Sequence, residues 1–141
     1  MIESAKATRV AAVLTAAAAV AVALGLRALL SGDVTSTGAL EQNSGTALYA
    51  SAVYAAVVFL RPAARPLTAG AWALGWCWAV ELAQLTPVPR TLSGQSILLR
   101  LIFGNAFDWT DVCWYPVGIV PLVLAHHALR RTRTGPGDQE T

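Results

Sequence analysis

The sequence predicts an all-α fold, a polytopic membrane four-helix bundle with a short interfacial helix between helices three and four. Three observations carry this prediction. The chain has 141 residues, is 55% hydrophobic and only 13% charged, against about 25% charged in ordinary soluble domains. Its apolar residues gather into four stretches divided by Pro, Gly and polar residues. Each stretch approaches the ~20 residues that cross a bilayer core. One transmembrane domain over residues 1–131 is expected, followed by a tail, 132–141, whose Gly, Pro and polar content reads as disordered and cytoplasmic.

The first stretch, about residues 9–30, is rich in alanine. A secretory signal is its rival reading, with Lys6 and Arg9 as the basic start and Ala21-Val22-Ala23 as a small-residue cleavage site. The apolar run continues to Leu30, which favours a retained helix. The second stretch, about 44–60, is marginal in length, and the polar residues 31–44 before it read as a surface loop. The third, about 67–86, is stopped by Pro87 and Pro89. Next comes SILLRLIF, Ser96 to Phe103, which is too short to span. Ile97, Leu98, Leu101 and Ile102 share one helical face, so this segment is expected to lie in the interface. The fourth stretch, about 109–129, contains Pro116 and Pro121. Pro116 removes the hydrogen bond to the Val112 carbonyl and favours a kink that widens the nearby mouth.

Basic residues set the orientation. Four spans put Lys6, Arg9, Arg61, Arg65, Arg130, Arg131 and Arg133 on one side and Arg27, Arg90 and Arg100 on the other. Both termini are therefore expected in the cytoplasm of a multi-pass protein of the bacterial cytoplasmic membrane. The Arg and Ala bias reads as that of a GC-rich bacterial genome. Trp72 near the inner ends, with Trp109 and Trp114 near the outer ones, suits aromatic belts at both interfaces. Cys77 and Cys113 sit at different depths in different stretches, which predicts two buried free thiols. Ala71/Gly75/Ala79 and Ala47/Ser51/Ala55 are small residues at four-residue spacing, suited to close helix approach.

The informative charges fall on the outer side. Glu81 lies inside the third stretch, where a carboxylate costs on the order of 2.5–3.5 kcal/mol on insertion scales and marks a functional site by default. Gln84, three residues on, shares its face. In NAFDWTDVCWY, Asp108 reads as the N-cap of the fourth helix and Asp111 as its N3 capping-box partner. Asp111 is equally well read as a site residue at the depth of Gln84. Arg90 and Arg100 lie in the connection between the two acid-bearing helices, where each is either an interfacial side chain or an anion ligand. His126-His127 has no acid or Cys at ligand spacing, so no metal site is expected. No phosphate-cradling Gly loop, serine nucleophile motif or nucleic-acid stripe is present, and no cofactor is expected.

ELAQL, Glu81 to Leu85, followed by RLIFGNAFDWTDVCWYPVGI, Arg100 to Ile119, resembles a small bacterial membrane family, DUF2809. Its pattern is roughly E-x-x-Q, then G-x-x-F-x-x-x-D-x-x-x-Y-x-x-G, matched here by Glu81, Gln84, Gly104, Phe107, Asp111, Tyr115 and Gly118. GTALYASAVY, Gly45 to Tyr54, is similar to it as well, although members often carry an acid where this chain has Thr46. A more distant resemblance is to VanZ-type envelope proteins. The resemblance implies four membrane helices and no named activity. It also implies that Asp111 is more than a cap and that Asp108 is incidental.

The residues then suggest an integral membrane protein whose mixed-charge outer pocket of Glu81, Gln84, Arg90, Arg100, Asp111 and Tyr115 binds a polar head group in a cell-envelope role. The expected partners are membrane lipids and a lipid-linked or cell-wall precursor, with no nucleic acid and with homo-oligomerisation open. The alternatives are a membrane-embedded enzyme using Glu81 and Asp111 as acid and base, against which the missing nucleophile and metal set weigh, and a structural subunit of a membrane complex.

Overall fold

The structure, a computed structural model, describes residues 2–30, 37–88, 91, 94–97, 99 and 106–133. It is all-helical, with four helices: α1, Ile2–Leu30; α2, Thr37–Leu60; α3, Pro66–Ala83; and α4, Trp109–Arg133. No strand occurs among the described residues. Three helices are long and apolar enough to cross a membrane, with windows at Ala5–Val22, Gln42–Leu60 and Trp109–Thr132. The fourth, α3, is the shortest at 18 residues and carries Glu81.

The helix ends differ from the apolar stretches for local reasons. α1 starts at Ile2 and α2 at Thr37, so the helices continue through polar residues once an apolar stretch anchors them. Residues 37–44, expected in a surface loop, are the first turns of α2. α3 starts at Pro66, whose fixed φ suits a first helical position, after Arg65 in the extended conformation that a following proline enforces. Its last α-helical hydrogen bond runs from the Gln84 N–H to the Val80 carbonyl. Leu85 and Thr86 then donate to the carbonyls of Leu82 and Ala83 in tighter i→i+3 turns before Pro87. α4 runs to Arg133, two residues into the expected tail, and passes Pro116 and Pro121 without a break. The expected interfacial helix at 96–103 and the remainder of the tail, 134–141, lie largely or wholly outside the described residues, as do Arg90, Arg100 and Gly104.

α1 packs on α2, α2 packs on both α3 and α4, and α3 packs on α4. The chain runs up and down. At one end, Arg9 Nε donates to the Phe59 carbonyl at 3.2 Å while its guanidinium sits 5.8 Å from the Phe59 ring. Arg130 donates to the Ala63 carbonyl at 3.3 Å. These bonds gather the start of α1, the end of α2 and the end of α4, and they fill carbonyls that a helix end and its loop leave open. Deeper in, Tyr54 and His126 share a 2.8 Å hydrogen bond. The core joins Ala12, Ala50, Tyr54, Val58, Ala69, Ala73, Cys77, Tyr115 and Ile119.

Small residues set the helix spacing. A Cβ on Gly118 of α4 would collide with the carbonyl oxygen of Ala47 on α2. Ser51 Oγ, one turn on, donates 2.9 Å to the Gly118 carbonyl and 3.0 Å to that of Ala47. Ala47 and Ser51 thus work as the close-approach face expected of α2. On α3 the packed face is Ala69, Ala73 and Cys77 with Gly70, two residues out of register with the expected Ala71/Gly75/Ala79, which are exposed. A Cβ on Gly75 would meet nothing within 4 Å. Both cysteines are free, but only Cys77 is buried. Cys113 is exposed because it lies on the outward face of α4.

Gly118→Ala is expected to cost about 1–3 kcal/mol through overpacking, read as a lower thermal midpoint in detergent. Gly75→Ala should leave the midpoint unchanged or raise it slightly, since it removes helix-interior glycine without adding a contact. Equal losses in both would show that close approach is not the purpose of Gly118.

Candidate functional site

Glu81 is the one charged side chain that is fully buried among the described residues, at 0% exposure. It is carried on the packed face of α3, one turn beyond Cys77. Its two oxygens take different partners on α4. The Asp108 backbone N–H donates to Oε1 at 2.7 Å, and the Tyr115 hydroxyl donates to Oε2 at 2.7 Å. A buried carboxylate left without donors would be too costly to keep. Two short charge-assisted bonds offset that cost. They also fasten the C-terminal end of α3 to the first two turns of α4.

Asp108 caps α4. The Thr110 N–H donates to Asp108 Oδ1 at 2.8 Å, and the Asp108 carbonyl accepts from Asp111 and Val112. That bond to Thr110 is the main reason the Asp108 carboxyl titrates below its ordinary value. In a capping box the N3 acid would reach back to the N-cap N–H. Here that N–H belongs to Glu81, from another helix. Asp111 is turned instead toward α2, where Thr46 Oγ1 donates to its Oδ1 at 2.6 Å. One turn earlier on α2, Gln42 Nε2 donates to Asp108 Oδ2 at 3.1 Å. A second acid in place of Thr46 would face Asp111 with like charge, whereas the hydroxyl supplies a donor.

The structure therefore brings Glu81, Asp108, Asp111 and Tyr115 together at one end of the bundle. Gln84 is nearby as the half-buried C-cap of α3. Arg90 and Arg100 lie outside the described residues. Three participants were not anticipated. Gln42 and Thr46 fall at helical spacing on the polar start of α2, a signal hidden by reading residues 31–44, Gln42 among them, as loop. The third is Trp78, whose indole Nε1 donates to the Val112 carbonyl at 3.2 Å. Val112 is the residue whose helical donor Pro116 removes. A side chain of α3 thus fills the vacancy that a proline of α4 creates.

No group of three or more His, Cys, Asp or Glu suited to hold a metal occurs among the described residues. Glu81 with Tyr115 is a buried, internally paired layer. Gln42, Thr46, Asp108 and Asp111 form a connected polar layer that is half-buried or exposed.

Fold and site together define an all-helical protein with membrane-span-like helices, tied at one end by a buried carboxylate. Within that class the chain belongs to the family described as a protein of unknown function (DUF2809), matched over residues 35–119. No curated protein and no solved structure matches it significantly. The matched region holds the whole cluster, from Gln42 to Tyr115, and Gly118 as well.

Tyr115→Phe leaves Glu81 Oε2 without its donor and is expected to cost about 1–3 kcal/mol. Glu81→Gln, whose amide can still meet both partners, should cost less than Glu81→Ala; the reverse order in detergent melts would dismiss the two-bond account. Trp78→Phe should lower stability in the native background and do so less in Pro116→Ala, where the helix regains its own donor for Val112. Additive losses would refute that pairing. Asp108 has a depressed folded-state pKa, so its contribution is present above the ordinary carboxylate value and is lost as pH falls below about 4. Asp108→Asn, which still caps but does not titrate, should flatten that part of the acid limb of the melting curve.

Proposed function

We propose that this is a multi-pass protein of the bacterial cytoplasmic membrane, with both termini cytoplasmic, that holds the polar head group of a lipid or lipid-linked cell-wall precursor. The head group sits on the Gln42–Thr46–Asp108–Asp111 layer at the outer end of the bundle. The observation that carries this reading is the connection of four polar side chains from α2 and α4 across a half-exposed surface, resting on a buried pair that fixes their positions. Two carboxylates offer several acceptor sites each. Among the described residues the side chain of Asp111 has one hydrogen-bond partner, Thr46. The layer is acceptor-rich, so it suits a head group that brings donors: hydroxyls or an ammonium. Seven of the ten basic residues fall at the opposite end, which supports the orientation.

A second reading is structural, with the acids as interhelical staples for a subunit of a larger complex. The complete engagement and burial of Glu81 favours it. The same burial weighs against Glu81 as an acid or base that touches a substrate.

Thermal shifts with added lipids separate these readings. Phosphatidylethanolamine, whose head group donates, should raise the midpoint, and phosphatidylcholine, which differs by lacking those donors, should not. Asp111→Asn with Thr46→Val should abolish the difference while the helical content stays native. A midpoint that responds equally to both lipids, before and after substitution, leaves the staple reading alone standing.

A further inference from the structure

From Tyr49, whose ring lies 6.4 Å from that of Tyr115, to the end opposite the acids, an apolar groove of about 940 Å³ runs between α2 and α3. It follows α2 from Tyr49 to Arg61, about 18 Å of helix at 1.5 Å per residue. That matches the ~15 Å of hydrocarbon in one leaflet. Ala52, Val53 and Ala56 give it a shallow floor, and Trp72 and Trp76, both exposed, stand along the α3 side. No acidic residue lines it.

Its mouth carries charge of one sign. Arg61 lines it, and Arg65 stands four residues on in the same loop. The arginines nearest the groove and the loop after α2 are used differently. Arg9 and Arg130 donate to backbone carbonyls. Among the described residues, neither Arg61 nor Arg65 has a side-chain hydrogen-bond or ion-pair partner. An acyl-length trough with guanidinium at its mouth, unpaired among the described residues, is complementary to a phospholipid whose head group bears net negative charge.

We propose that this groove holds one acyl chain of an anionic phospholipid, with the head-group phosphate at Arg61 and Arg65. A second copy of the chain fits less well. Inserted the same way, it would set arginine against arginine, because Arg61 lines the groove and no acidic residue does. The site needs only that the helices sit in a bilayer and is independent of the head-group layer proposed above.

Tryptophan fluorescence in phosphatidylcholine vesicles doped with bromine-labelled lipid tests it. Brominated phosphatidylglycerol should quench more strongly than brominated phosphatidylcholine at equal content. Removing the charge of Arg61 and Arg65 by alanine should cut that preference by about fivefold per arginine. Arg61→Lys should retain much of it, and added salt should weaken it. Ala56→Leu, which fills the floor, should reduce it with the arginines intact. Asp111→Asn should leave it unchanged, which separates this site from the one at the other end. Equal quenching by both brominated lipids in the native protein overturns the proposal, as does a preference that survives both arginine substitutions. A native dimer that Ala56→Leu dissociates overturns it as well, by showing protein in the groove.

Discussion

The bonds from the Glu81 carboxylate to the Asp108 N–H and the Tyr115 hydroxyl are the constraint on which the acidic end depends. α3 and α4 are joined by a long connection, and nothing in its sequence length sets how their near ends meet. Glu81 sets it. The carboxylate reaches the first N–H of α4, a donor that every helix leaves open, and a hydroxyl two turns on. The same bonds fix Asp108, whose own side chain caps the helix. With its usual back-bonding role taken by Glu81, Asp111 turns to Thr46 on α2. Three helices are thus locked by a chain of bonds that starts from one buried charge.

That use of polar groups suits a membrane medium, which three of the helices are long and apolar enough to cross. Between helices in hydrocarbon, burying apolar surface gains little, because the lipid tails are as apolar as leucine. Close approach and hydrogen bonds must do the joining. Gly118 lets α4 meet the Ala47 carbonyl of α2, and Ser51 bonds across that contact. Trp78 serves the Val112 carbonyl that Pro116 leaves open. An unbonded carbonyl in hydrocarbon is expensive, so the proline in α4 and the tryptophan in α3 are one feature on two helices. The kink expected from Pro116 alone omits that partner.

How much of this was legible in the sequence follows the same physics. Helix number and the special position of Glu81 were readable, because long apolar runs and an acid within one are strong signals; its enclosure was not, since its donors lie 27 and 34 residues away. The position of Asp108 at a helix start was readable because capping is local in sequence. The partner of Asp111 was not, since Thr46 lies 65 residues away and its helical spacing from Gln42 is lost when residues 31–44 read as loop. Nor was the register of α3. A soluble helix marks its inward face by hydrophobicity, but a helix apolar all round carries no such mark. Ala71/Gly75/Ala79 and Ala69/Ala73/Cys77 are equally small, and only the need to turn Glu81 inward selects the second. Since Glu81, Cys77 and Ala73 are four residues apart, that one buried acid fixes the face for the whole helix.

The two ends of the bundle then differ in kind. At one end acids accept from donors within the protein, and the charge of Glu81 is enclosed. At the other, Arg9 and Arg130 fill backbone carbonyls, and Arg61 stands at an apolar groove with Arg65 in the same loop. The first arrangement makes a rigid, acceptor-rich surface, and rigidity matters because a surface held in place loses little freedom on binding. The second makes a cationic mouth above a hydrocarbon-lined trough, where attraction depends on charge and falls with salt. Because the family region runs from residue 35 to 119, it takes in the acidic layer and the groove alike but excludes α1. The chemistry of both ends therefore rests on α2, α3 and the first half of α4. On this architecture α1 acts from outside that unit, through Ala12 in the core and the Arg9 bond that closes the end of α2.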